Sequence, residues 1–125
     1  MKKIVLDTNF IMAVFELNLD VFEGIKENLD FSYELYVLEG TMDELERFIN
    51  GSSLSRKRKA LAARRLLESK GVKVLKTQNK GAVDYQLLQL EGYIIATADQ
   101  ELKRLLKAKR RKVLSIRQKK FVVLE

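Results

Sequence analysis

Short apolar runs alternate with amphipathic stretches along most of the chain. The first run, Ile4 to Leu6, is continuously apolar, which is typical of a central parallel strand buried on both faces. Residues 21–29 instead repeat their apolar positions every three or four residues, as an amphipathic helix does. The predicted strands are Lys2–Leu6, Tyr33–Leu38, 72–75, 93–96, 113–116 and Phe121–Leu124. The predicted helices are 10–17, 21–29, 40–49, Leu54–Ser69, 81–90 and 101–109, with a polar loop at 77–80.

Strands that alternate with helices favour a parallel sheet with helices packed on its faces. We therefore predict the α/β class, with three α/β/α layers around a central, mostly parallel sheet. The last two strands are expected to pair around residues 117–120. The chain has 125 residues, no proline and only 6 glycines, so no interdomain linker is visible and residues 1–125 are predicted to form a single domain. Right-handed crossovers place the carboxyl ends of the parallel strands at one edge.

The composition restricts the chemistry that this chain can perform. It contains no histidine and no cysteine. Histidine-based acid–base catalysis, thiol nucleophiles and ordinary zinc sites are therefore excluded. Carboxylates that hold a hard, oxygen-preferring cation are the leading chemistry that remains.

The distribution of apolar residues also bears on location. No apolar run approaches the roughly 20 residues that a membrane-spanning helix requires. The apolar run after the first two lysines is too short for the core of a signal peptide. We expect no membrane association and a cytoplasmic location, with which the lack of cysteine agrees.

The two parts of the chain carry opposite charge. Residues 1–50 hold 4 Lys and Arg against 11 Asp and Glu, a net charge of −7, whereas residues 51–125 hold 20 against 6, a net charge of +14. Such asymmetry favours a polyanionic partner, nucleic acid above all, for the second part. The alternative is a solvated basic surface, as in heat-adapted proteins rich in Lys and Glu.

Four acidic residues are placed where this fold would bring them together. Asp7 directly follows the first strand and Asp99 lies just past the fourth, while Glu44 and Asp84 lie near the starts of helices. If the first and fourth strands are neighbours where the strand order reverses, Asp7 and Asp99 face one crevice. Clustered carboxylates repel one another unless a cation balances them, so we predict a Mg²⁺ or Mn²⁺ site.

Each of these acids also has a purely structural explanation. Asp7 and Asp99 are suitable N-caps for the helices that follow them. Glu44 stands three residues after Thr41, which is the spacing of a capping box. Asp84 lies in the first turn of a helix, where an acid interacts favourably with the macrodipole. Both explanations stay open from the sequence.

Short polar residues accompany the acids at the strand ends. Thr8 and Asn9 follow Asp7, and Thr97 precedes Asp99 by two positions. Their side chains are candidates to orient a carboxylate, a metal-bound water or a phosphate. The alternative is that they only form turns.

These motifs together resemble the PIN-domain family of metal-dependent ribonucleases. The run Ile-Val-Leu-Asp-Thr-Asn-Phe-Ile at 4–11 is similar to the first strand and Asp-Thr-Asn signature of that family. Residues 37–45 resemble the segment with the helical glutamate, without its usual proline. Residues 83–84 resemble the third acidic position, and 96–102 the Thr-x-Asp-x-x-Leu element, with Ala98 in place of the frequent Asn. Within the family, the chain looks similar to small archaeal members akin to ribosomal-RNA-processing nucleases, while the toxins of toxin–antitoxin pairs share the same acids.

The resemblance carries expectations for structure and function. It implies a PIN-like, Rossmann-like topology, and it implies that Asp7, Glu44, Asp84 and Asp99 are catalytic residues that bind Mg²⁺ or Mn²⁺. It further implies an endoribonuclease that hydrolyses RNA phosphodiester bonds, with a role in the processing of ribosomal or other RNA. The expected partners are RNA, a second copy of the chain in a homodimer, and a ribosome-assembly or antitoxin protein.

Basic clusters in the second part of the chain are candidates for RNA binding. They hold phosphates by charge and predict strongly salt-dependent binding, because few aromatic residues are available there for stacking. The alternative for each cluster is a solvated helix face. The candidates are Arg56, Lys57, Arg58, Lys59, Arg64, Arg65, Lys103, Arg104, Lys107, Arg110, Arg111, Arg117, Lys119 and Lys120.

The leading hypothesis from the sequence is a metal-dependent endoribonuclease. A non-catalytic RNA-binding or assembly module and a toxin ribonuclease of a toxin–antitoxin pair are the alternatives. A third alternative is a protein whose acidic N-terminal part docks a basic partner. RNA cleavage in the presence of Mn²⁺ separates the enzymes from the binding modules.

Overall fold

A computed structural model describes residues 1–77 and 81–125 as a six-stranded sheet with helices on both faces. Residues 78–80, which belong to the predicted polar loop, lie outside the described residues. The strands are β1 (Lys2–Leu6), β2 (Tyr33–Leu38), β3 (Lys73–Leu75), β4 (Ile94–Ala96), β5 (Val113–Arg117) and β6 (Phe121–Leu124). The helices are α1 (Thr8–Glu16), α2 (Val21–Asn28), α3 (Glu39–Gly51), α4 (Leu54–Ser69), α5 (Val83–Gln89) and α6 (Gln100–Ala108).

The strand order is β3-β2-β1-β4-β5-β6. All neighbours pair in parallel except β5 and β6, which form an antiparallel hairpin. β1 is therefore central, and its register places Val5 opposite Tyr36 on one side and Ile95 on the other. The predicted three-layer α/β/α fold with a mostly parallel sheet is confirmed.

Two apolar clusters cover the two faces of the sheet. Ile4 and Leu6 of β1 belong to one cluster, together with Phe10 and residues of α1 to α4, whereas Val5 belongs to the other, with residues of α5 and α6. Successive side chains of a strand point to opposite faces, so a continuously apolar β1 is what a strand buried on both sides requires. These three residues of β1 are fully buried.

The predicted elements are all present, and their ends differ by only one or two residues. The start of α3 is the informative difference, because this helix begins at Glu39, directly after β2, with Leu38 as its N-cap. Thr41 therefore lies inside the helix, fully buried, and is not a cap. The capping-box explanation of Glu44 is wrong, since its N-cap would have to be Thr41.

None of the helices in the described ranges, 1–77 and 81–125, is both long and apolar enough to cross a lipid bilayer.

Gly24 allows α2 to pack closely on β6. A Cβ atom at this position would lie 2.6 Å from Cγ2 and 2.9 Å from Cβ of the buried Val122. We expect Gly24→Ala to lower the free energy of unfolding by about 1–3 kcal/mol through overpacking, although alanine favours helices by roughly 1 kcal/mol over glycine. Urea unfolding measures this change.

Gly51→Ala is the matched control, because a Cβ atom there meets nothing within 4 Å and should cost no stability. In a double-mutant cycle, Val122→Ala should cost less in the Gly24→Ala background than in the wild type. Additive costs would contradict the proposed contact.

Candidate active site

The four predicted acids gather at the point where the strand order reverses. β1 and β4 are parallel neighbours, and the chain leaves β1 toward α1 on one face and β4 toward α6 on the other. This divergence opens a crevice beyond the carboxyl ends of the two strands, where open α/β sheets bind ligands. Asp7 lies at the end of β1 beside this crevice, and its backbone N–H donates a hydrogen bond to the carbonyl of Ala96 in β4 at 2.8 Å.

Asp7 is the most enclosed of the four acids, with 6% of its surface exposed. It caps α1, because Oδ1 accepts a hydrogen bond from Thr8 N at 2.8 Å, and Oδ2 accepts another from Thr97 Oγ1 at 2.7 Å. Burial raises the pKa of Asp7, and the charges of Asp99 and Asp84 raise it further, against the two hydrogen bonds. Two hydrogen bonds therefore orient the carboxylate, but no neighbouring cation in the described part of the chain is among the groups that set its pKa.

Thr97 and Asn9 join the turns that follow β1 and β4. Thr97 Oγ1 accepts a hydrogen bond from Asp99 N at 3.1 Å while it donates to Asp7. Asn9 Oδ1 accepts one from Ala98 N at 2.9 Å. These bonds fix the positions of Asp7 and Asp99 relative to each other across the crevice.

Asp99 caps α6, as one of the structural explanations predicted. Its Oδ1 accepts hydrogen bonds from Glu101 N at 2.9 Å and Leu102 N at 3.1 Å. The same side chain lines the cleft that contains Asp7. Asp99 therefore both caps a helix and lines the cleft, as Asp7 does.

Glu44 reaches the cleft from the second turn of α3. It is half-buried, and the hydroxyl of Thr8 donates a hydrogen bond to its carboxylate. Thr8 Oγ1 also lies 3.4 Å from the hydroxyl of the buried Thr41. Burial raises the pKa of Glu44, the charges of Asp7 and Asp84 add to this, and the nearby charge of Arg47 opposes it.

Asp84 is exposed at the start of α5 and lines the cleft from that helix. Gly40 allows this approach, since a Cβ atom on it would lie 2.9 Å from Val83 Cγ2. Gln86, which is only 8% exposed, holds α5 in position through two hydrogen bonds. Its Oε1 accepts a hydrogen bond from Thr77 Oγ1 at 2.6 Å, and its Nε2 donates to the carbonyl of Gly81 at 2.7 Å.

All four acids line one open cleft of about 790 Å³. Three further acids and two arginines line it as well. Within residues 1–77 and 81–125, no three acidic side chains converge closely enough to form a ready-made metal cage. The further acids are Glu16, Glu39 and Asp43, and the arginines are Arg47 and Arg56.

Several of the predicted RNA-binding residues are engaged in ion pairs. Glu125 contacts the side chains of Lys103, Lys107 and Arg117 at 2.8–3.0 Å, and these cations, Lys103 foremost, hold its pKa well below the usual range. Arg64 pairs with Glu46, and Arg104 with Glu101.

The other basic candidates differ in exposure. Arg56 lines the cleft, and Lys59 is half-buried. Arg111 is also partly buried, and its Nη2 is enclosed without a hydrogen-bond partner among the described residues. The exposed candidates outside the cleft are Lys57, Arg58, Arg65, Arg110, Lys119 and Lys120.

Sequence reasoning missed three residues that shape the cleft. Arg47 stands three positions after Glu44 and therefore on the same side of α3, a spacing that would have indicated it. Thr41 was considered only as a cap. Nothing in the sequence indicated Gln86, because its role depends on hydrogen bonds with Thr77 and Gly81 that only the fold brings about.

Comparisons with known proteins agree with this geometry. A family model described as a PIN-like domain matches residues 4–119. Ribonuclease VapC4 of Methanocaldococcus jannaschii is 33% identical over 124 residues, which cover 97% of this chain and 95% of that protein.

Solved structures share the fold. The PIN domain endonuclease Utp24 superposes with a TM-score of 0.77 at 23% identity and covers 98% of this chain and 90% of its own. A domain of a functionally unknown protein from Methanocaldococcus jannaschii has a TM-score of 0.59 at 20% identity, with 93% and 91% covered. The match over residues 4–119 and the full-length similarity to VapC4 show that this chain belongs to the PIN-like domain family.

Proposed function

We propose that this protein is a Mg²⁺- or Mn²⁺-dependent endoribonuclease that hydrolyses RNA phosphodiester bonds. The observation that carries the proposal is that Asp7, Glu44, Asp84 and Asp99, from four separate segments, line one cleft at the switch point of the sheet. The similarity to a ribonuclease over nearly the whole chain supports the choice of RNA as substrate.

The donor chemistry of the cleft fits a hard divalent cation. Mg²⁺ keeps several waters and is commonly bound by only one or two carboxylates, so widely spaced acids suit it without a closed cage. The raised pKa values of Asp7 and Glu44 reflect burial and the charges of neighbouring acids, and a cation bound in the cleft would offset that repulsion. When bound, it would supply a water of lowered pKa and neutralise charge on the phosphate.

The residues around the acids would keep them in position. Thr97 holds Oδ2 of Asp7, and Thr8 holds the carboxylate of Glu44. Asn9 fastens the turn that carries Asp99. Such outer hydrogen bonds fix the direction of the ligand oxygens and limit their rotation.

Positive charge outside the cleft would bind the RNA backbone. The net charge of the chain is +7, and most of the exposed cations belong to its second part. Cations already paired with Glu125 would contribute less than Arg56 and the unshielded lysines of α4. A homodimer and a ribosome-assembly or antitoxin partner remain predictions.

Asp99→Asn should reduce RNA cleavage in Mn²⁺ by at least about 100-fold, since it removes one of the four carboxylates. Asparagine is as good an N-cap as aspartate, so the fold should persist. A gel assay of a labelled single-stranded RNA measures the rate.

Asp20→Asn is the matched control, because Asp20 also caps a helix, through Glu23 N at 3.0 Å, but is not part of the cleft. It should cleave like the wild type. Equal loss in both variants would indicate a capping defect, and undiminished cleavage by Asp99→Asn would refute the assigned role. Salt-sensitive RNA binding without any cleavage by the wild type would favour a non-catalytic binding module.

Mn²⁺ should raise the melting temperature of the wild type, because a ligand that binds only the folded state stabilises it, by about 2.7 kcal/mol at 100 times its Kd. Asp99→Asn should show a smaller gain, and Asp20→Asn the full gain. Thermal melts with Mn²⁺ and with EDTA measure the difference. Identical gains in all three proteins would argue against a metal at these acids.

Glu44→Gln should raise the melting temperature in EDTA near neutral pH by a few degrees. The pKa of Glu44 is higher in the folded chain than its ordinary value of 4.5, so its charge costs folding free energy once the pH exceeds that value. The cost is absent below the ordinary pKa, grows through the interval up to the raised pKa, and is constant above it. The advantage of Gln should therefore disappear in melts at low pH. A destabilised Gln variant at neutral pH would contradict this sign.

A further inference from the structure

The lining of the cleft includes two arginines and an aromatic ring that are close to one another in the chain. Arg47 and Phe48 come from α3, and Arg56 comes from the first turn of α4. The guanidinium carbon of Arg56 lies 5.1 Å from the centroid of the Phe48 ring, which is a cation–π distance. All three residues line the same cleft as the four acids.

The local fold fixes the backbone of Arg56 and the ring of Phe48 before any ligand binds. Ser53 caps α4 by accepting a hydrogen bond from Arg56 N at 3.3 Å, so the backbone of Arg56 is fixed. Phe48 is half-buried against the main core cluster, which restricts its ring. A side chain that is already ordered loses less entropy when a ligand binds to it.

Arg47 connects this group to the acids. It is one turn beyond Glu44 on α3, and its charge acts directly on the Glu44 carboxylate. A phosphate next to Glu44 would therefore lie within the influence of Arg47. The cleft thus contains two cations and an aromatic ring besides the acids, which suits a strand whose phosphates and bases extend past the acids.

We propose that Arg47, Phe48 and Arg56 form a nucleotide-binding subsite for the residue next to the cleaved phosphate. One base stacks on the Arg56–Phe48 pair, and Arg47 contacts the adjoining phosphate. The subsite rests on the proposed ribonuclease function and adds a requirement for an unpaired base, because a base inside a duplex has no free face to stack.

Fluorescence anisotropy with a labelled 10-nucleotide oligoadenylate in EDTA tests the subsite without cleavage. Arg56→Lys keeps the charge but loses the planar group, and we expect it to weaken binding roughly 5- to 20-fold. Phe48→Leu, which keeps an apolar side chain in the core, should show a similar loss. Lys70→Arg is the matched control, because it keeps the charge at a second cation–π pair, with Phe22, that is not part of the cleft, and it should bind like the wild type.

Two further ligands separate stacking from charge. With an abasic strand of the same length, Arg56→Lys should bind as the wild type does, and the same holds for a duplex. An equal loss on the abasic strand would show a phosphate contact only and overturn the proposal. Equal affinities of Arg56→Lys and Lys70→Arg for oligoadenylate would overturn it as well.

Cleavage in Mn²⁺ is measured separately, so that the two proposals can fail independently. A wild type that does not cleave, but whose variants lose oligoadenylate affinity as expected, would refute the nuclease and support the subsite. A wild type that cleaves, with variants that bind normally, would refute the subsite alone.

Discussion

The parallel pairing of β1 with β4 is the constraint on which the site depends. The pairing brings together two turns that are 90 residues apart in the chain, so that Thr97 Oγ1 reaches Asp7 Oδ2. It is possible because β1 is apolar on both faces and can be buried at the centre of the sheet. A polar residue at Val5 or Ile95 would have no partner there and would disturb both turns.

The site is costly to the folded chain. Asp7 is buried among other carboxylates, and its pKa is raised although it accepts hydrogen bonds from Thr97 and Thr8. The ionised form is therefore less favourable in the folded protein than in water, and the apolar clusters on both faces must offset that cost. A binding site that needs a counter-ion is expected to carry such a penalty.

The pattern of apolar residues was sufficient for the elements and for the placement of Asp7 and Asp99, because strand ends are local features. Strand order is not a local feature. The prediction that both acids face one crevice therefore depended on the assumption that the first and fourth strands are neighbours. The role of Glu44, in a capping box or in the cleft, was ambiguous because the sequence does not show that α3 begins directly after β2. The position of Asp84 depends on Gly40, which has no Cβ atom to collide with Val83, and on the hydrogen bonds of Gln86. These contacts join segments that are separate in the chain.

The basic surface shows the same limit of local reasoning. Charge runs alone gave equal weight to α4, α6 and the β5–β6 hairpin. In the folded chain, β6 pairs with β5 and places the carboxylate of Glu125 against Lys103, Lys107 and Arg117, so part of their charge is balanced. The α3–α4 side instead places Arg56 in the cleft itself, so positive charge on this side lines the same cleft as the four acids.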